Sequence, residues 1–135
     1  MTKVTCSRTA LSEVPDLSAV REYEKMVHPL EYDFCLARNA DYLVFGLLTQ
    51  GGTPWLYVVD AVGDTELLFA PAVLFDSNWA QVPENWQMRL TNRGNLEFLP
   101  AALAKIDHWF EKYIDENSVV LQLVEEEVQR IRHYM

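Results

Sequence analysis

The chain has 135 residues, half of them apolar, and carries 20 acidic against 11 basic side chains for a net charge of −9. That balance excludes the basic footprint of a nucleic-acid binder and opposes adsorption to an anionic membrane. No 18-residue apolar run offers a membrane span, and 4 Trp, 6 Tyr and 6 Phe exclude a disordered chain.

One globular domain over residues 1–135 is expected, large enough to bury a core without staples. Cys6 and Cys35 make no CxxC and no zinc spacing. The N-terminus lacks the apolar segment of a signal peptide, so the chain reads as cytoplasmic with reduced thiols.

Residues 1–12 read as a loose lead-in. Asp16 is placed to cap a helix on which Leu17, Val20, Tyr23 and Val27 share a face, and His28-Pro29 ends it. Leu30 to Ala40 fits a short helix or a strand. Tyr42–Leu48 and Trp55–Val59 are continuous apolar runs around the Gly51-Gly52 turn, the pattern of a central hairpin covered on both faces. Glu66 to Ala70 reads as a third strand, stopped by Pro71. Asp76 to Asn85 reads as a loop. In Trp86–Leu90 the residues Trp86, Met88 and Leu90 alternate with Gln87 and Arg89, which predicts one apolar and one wet face. Asn92-Arg93-Gly94-Asn95 turns this strand into Leu96–Phe98. Pro100 suits a first helical turn. Leu99, Leu103, Ile106, Phe110 and Tyr113 then repeat at helical spacing, and Ser118 is placed to cap a last helix with Val120, Leu123, Val124, Val128 and Ile131 inside. The fold class is therefore α+β. An antiparallel sheet of about five strands packs with an N-terminal helix and two C-terminal helices.

Catalytic signatures are missing: there is no GxGxxG, P-loop or GxSxG. Cys35 with His28 or His108 is the best nucleophile candidate, but Phe34 and Leu36 flank it as they would a buried structural thiol. His108, Glu111 and Asp115 share a helix face that could hold a metal, while Lys105 and Lys112 on that side suit surface pairing instead. Neither a metal nor a cofactor is expected, and no residue is assigned a catalytic role.

The charge distribution is more informative. From Asn39 to Met88 no Lys or Arg occurs, while Asp41, Asp60, Asp64, Glu66, Asp76 and Glu84 do. Turns of one sign favour a partner of the other sign, chiefly through encounter rate. Solubility is the plainer explanation of the same acids. The candidate partner-binding residues are Asp60, Asp64, Glu66, Asp76, Trp79 and Glu84, with Trp79 either tucked in or an aromatic anchor.

In size, acidity, the cation-free Tyr42–Met88 region and the lack of a catalytic signature, the chain resembles the small acidic immunity proteins of bacterial toxin systems, such as contact-dependent growth inhibition and polymorphic toxins. The resemblance implies a protein that binds a toxin domain, often a basic nuclease, and blocks its active site. An enzyme or small-ligand binder with a pocket between sheet and helices is the second expectation. A homo-oligomer joined through the apolar C-terminal helix is the third.

Overall fold

The two apolar runs without alternation form the middle of the sheet. In the computed structural model, which describes residues 3–76 and 83–133, β2 (Asp41–Gln50) and β3 (Thr53–Asp60) pair antiparallel along their whole length, from Tyr42 opposite Asp60 to Gln50 opposite Thr53. Gly51 and Gly52 make the turn at φ of 60° and 83°, where a Cβ would be strained. Around this hairpin stand β1 (Lys3–Cys6), β4 (Leu68–Pro71), β5 (Phe75–Asp76), β6 (Trp86–Leu90) and β7 (Leu96–Pro100). The fold is α+β, with one open antiparallel sheet in the order β4-β3-β2-β1-β5. The second edge of β2 is divided. Its first residues pair with β1, and Leu47 and Leu48 pair with β7, which carries β6 outside it.

Side chains leave β2 and β3 toward both faces, and each face has its own core. On one face Tyr42, Val44, Leu56 and Val58 pack with Val20 and Tyr23 of α1 (Leu17–Glu24) and with Phe34 and Leu36. On the other, Leu43, Phe45, Tyr57 and Val59 pack under α2 (Ala101–Ala104), α3 (Trp109–Ile114) and α4 (Ser118–His133) through Leu103, Trp109, Val120, Val124, Val128 and Ile131. Each such fully buried aliphatic side chain contributes about 1.5–3 kcal/mol. The uninterrupted hydrophobicity of the hairpin follows from this double coverage. A bulge between Val44 and Gly46 interrupts the register. A Cβ on Gly46 would lie 2.9 Å from the Phe98 carbonyl oxygen, so β7 can approach β2 only where the side chain is missing.

Several boundaries differ from expectation. Residues 3–6 are a strand inside the sheet, not a loose lead-in, because Val4 and Cys6 are completely buried apolar groups at alternate positions. Asp16 does cap α1, accepting from the Ser18 and Ala19 amides, but the helix stops at Glu24, before His28-Pro29. Leu30 to Ala40 is neither helix nor strand. It is an irregular segment held by Ser12 N–H to the Leu30 carbonyl and by Ala37 N–H to the Tyr42 hydroxyl. Strand β4 begins at Leu68, not Glu66. Phe75–Asp76 pairs with β1 as a short edge strand, so Asp76 is strand and not loop, and residues 77–82 of the expected loop lie outside the described residues.

The helix expected from Leu99 to Tyr113 is broken. Leu99 belongs to β7, and residues 105–108 separate α2 from α3, with His108 left-handed at φ 56°. The Arg89 guanidinium takes up the carbonyls that this break frees, Ala104 at 3.3 Å and Ile106 at 2.8 Å. The cap of α4 is Asn117 rather than Ser118: its Oδ1 accepts from the Val119 and Val120 amides. Among the described residues no helix is long and apolar enough to cross a membrane.

Candidate functional site

Two places concentrate polar chemistry, one at each end of β2. At its N-terminal end the register sets Asp41 opposite Thr5, Thr5 opposite Asp76, and Asp60 opposite Tyr42. Neighbouring strands lie about 4.8 Å apart, so Asp41 and Asp76, flanking Thr5 in one row, are about 10 Å apart across the sheet. Asp64 and Glu66 are exposed in the β3–β4 connection that continues from Asp60. Asp76 and the β3–β4 connection therefore share one end of the sheet, and Asp41, absent from the predicted set, sits between them. Its position follows from the hairpin alone: it faces the turn after Asp60 once β2 and β3 are aligned.

These carboxylates also serve local structure. Asp60 accepts from the Val62 amide at 3.2 Å and Asp64 from the Glu66 amide at 3.1 Å, closing successive Asx turns. Thr5 donates to Asp41 at 2.8 Å. Two cations nevertheless reach this end of the sheet. Arg132, at the end of α4, donates to the carbonyls of Asp60 at 2.8 Å, Gly63 at 3.2 Å and Asp64, and Lys3 lies 3.7 Å from Asp41. Sequence separation hid both, since they come from the two ends of the chain. Glu84 is exposed beside Asn85, whose side chain donates to Glu127 on α4. Asp76 and Glu84 flank the segment that contains Trp79, which lies outside the described residues.

At the other end of β2, on the order of 20 Å away along the strand, a half-open cavity of about 370 Å³ lies between the β6–β7 hairpin and residues 107–111. Its floor is the pair Arg89 and Glu97. Trp86 is buried and Gln87 exposed as expected, but the rest of β6 departs from the predicted faces: Met88 and Leu90 are 62% and 68% exposed, and Arg89 turns inward. The cause is β7. Leu99 is completely buried in the second core, Glu97 lies on the same face two residues earlier, and Arg89 stands directly opposite Glu97. The hairpin is symmetric about Arg93, so folding the sequence at that turn brings the two charges together. That was the signal available in the sequence.

Glu97 is 4% exposed and accepts three hydrogen bonds: Arg89 Nε at 3.1 Å, the Tyr57 hydroxyl at 2.7 Å and the Trp109 indole at 3.4 Å. A buried carboxylate needs this set of donors, because isolated it would be too costly. Burial, reinforced by the neighbouring Glu97 charge, pushes the Tyr57 hydroxyl far above its ordinary value, which keeps it a neutral donor. Tyr57 packs against Phe69 at 4.8 Å, Trp109 at 4.9 Å and Phe110 at 5.1 Å between centroids, forming the aromatic wall.

The nucleophile candidate changes character. Cys35 is exposed, with φ 65°, and the buried thiol is Cys6, pushed up by burial and donating to the Arg8 carbonyl at 3.2 Å. The apolar neighbours of Cys35 misled because Phe34 and Leu36 point into the core on either side of an outward residue. Among the described residues no group of three or more His, Cys, Asp or Glu side chains is placed to hold a metal ion. No protein-family model, curated protein or solved structure matches the chain.

Proposed function

We propose that this chain is a protein-binding module that meets a basic partner with the acidic end of its sheet, in the manner of an immunity protein neutralising a toxin domain in the cytoplasm. The supporting observation is the strand register, which gathers carboxylates from β2, β3, the β3–β4 connection and β5 at one end of the sheet. Asp64, Glu66 and Asp76 are exposed there, with Glu84 alongside the segment that follows Asp76. Such a surface acts on encounter more than on the final contact, and its effect is screened over about 8 Å at physiological salt.

The test is capture of the partner from the native host, followed by association kinetics with wild type and with the double variant Asp64→Lys/Asp76→Lys. A basic partner whose association rate falls with salt, and falls about tenfold in the double variant at low salt, is the expected result. Association unchanged by the double reversal at both low and moderate salt overturns the proposal. The acids would then serve the turns and solubility only.

A further inference from the structure

We propose that the cavity over Arg89 and Glu97 binds a small aromatic carboxylate. The argument begins with shape. A volume of about 370 Å³ falls within the ~300–1,000 Å³ of small-molecule sites. Its wall offers Phe69 and Phe110, both half-buried, backed by the fully packed rings of Tyr57 and Trp109. Flat apolar faces of this kind take a planar ring.

The sign of the ligand follows from which polar groups are already engaged. Glu97 spends its oxygens on three donors inside the protein. Of the other two acids at the rim, Glu111 is exposed, and Asp107 is 96% exposed and only 3.9 Å from Arg89 Nη1, so both are solvated. The donors are the reverse. Arg89 uses Nε and Nη1 and leaves Nη2 without a hydrogen bond among the described residues. The side chains of Arg93 and His108 line the same cavity and make no hydrogen bond or ion pair among the described residues. Two of the 11 basic side chains of an acidic protein thus face one cavity with donor capacity left over. A planar guanidinium fork is matched by a carboxylate. The ligand would lay its ring on Phe69 and Phe110 and turn its carboxylate toward Arg89 Nη2, with Arg93 and His108 closing over it.

The test uses three probes of one shape: 2-naphthoate, the neutral 2-naphthylmethanol and the cationic 2-naphthylmethylammonium. Protein-detected NMR follows the Trp109 indole N–H and the Arg89 Nε–H. Saturable shifts of both signals with 2-naphthoate, tighter than with either other probe, are expected. Arg93→Gln, an exposed turn substitution that leaves the Arg89–Glu97 pair intact, should weaken 2-naphthoate about tenfold, the loss of one charge-assisted hydrogen bond. Equal or tighter binding of the ammonium probe overturns the proposal in favour of a cation site on the rim acids. Absence of shifts at millimolar 2-naphthoate overturns it outright.

Discussion

Arg89→Met is the most informative single change, because it separates a buried charge from its partner. The substitution keeps much of the side-chain volume but leaves Glu97, 4% exposed, with only the Tyr57 and Trp109 donors. Removing one member of a buried ion pair costs about 3–5 kcal/mol. The carbonyls of Ala104 and Ile106 lose their donor as well, at about 1 kcal/mol each where water cannot replace it. Arg89→Met should therefore lose about 3–7 kcal/mol, a large share of a domain's ~5–15 kcal/mol. Adding Glu97→Gln to it removes the orphaned charge while its amide oxygen still accepts from Tyr57 and Trp109. The double variant should then be more stable than the single one, by about 2 kcal/mol. Urea unfolding followed by tryptophan fluorescence reads this as a midpoint about 1 M higher, taking ~2 kcal/mol/M for the slope. A double variant no more stable than Arg89→Met would refute the account of Glu97 as a charge held by Arg89.

Two further outcomes follow from local geometry. Asn117→Ala should destabilise α4 by about 0.5–2 kcal/mol in a thermal melt, while Ser118→Ala should stay near zero, because Asn117 alone accepts from the Val119 and Val120 amides. Alkaline titration should find Tyr23, Tyr42, Tyr57 and Tyr113 silent while the fold lasts, since burial raises all four hydroxyls, Tyr23 to about 12. The folded values exceed the unfolded one, so this stability is complete below pH ~10 and is lost above it. Tyr23 and Tyr57 are each 3% exposed and should each remove up to about 1.4 kcal/mol per pH unit. Tyrosinate absorbance rising for these residues before the circular-dichroism transition would contradict their packing.

The elements that sequence reasoning recovered are those with one dominant local signal. Tyr42–Leu48 and Trp55–Val59 are apolar enough to need cover on both faces, and two glycines join them at positive φ. The α4 stripe Val120, Val124, Val128 and Ile131 is read correctly for the same reason. What failed depended on distant partners. The Leu99–Tyr113 periodicity fits one helix, yet Leu99 belongs to a strand and the break before His108 is satisfied by an arginine from β6. The alternation of Trp86–Leu90 suggests the wrong inner face below Trp86, because Leu99 on β7 decides the orientation of the pair. The acidic end was visible as a gap in positive charge, but Lys3 and Arg132 reach it from either end of the chain. The cavity floor required knowing that Arg89 faces Glu97, a cross-strand fact with no short motif.

The divided edge of β2 has an organisational consequence. Strands β1 and β5 form one branch of the sheet and β6 and β7 another, and among the described residues each branch pairs with β2 of the central hairpin. That hairpin is tied by eight cross-strand partnerships and covered on both faces. The acidic end belongs to the first branch and the β2–β3 hairpin, while the Arg89–Glu97 cavity is lined by the second branch together with Leu48 and Tyr57 of the hairpin, Phe69 of β4 and residues 107–111. Such an arrangement sets the two at opposite ends of β2. The two are nonetheless joined where α3 meets the β3–β4 connection: Phe110 of the cavity wall stacks on Tyr113, whose hydroxyl accepts from the Leu67 amide at 3.0 Å, so the wall a ring would touch is tied to the segment that carries Asp64 and Glu66.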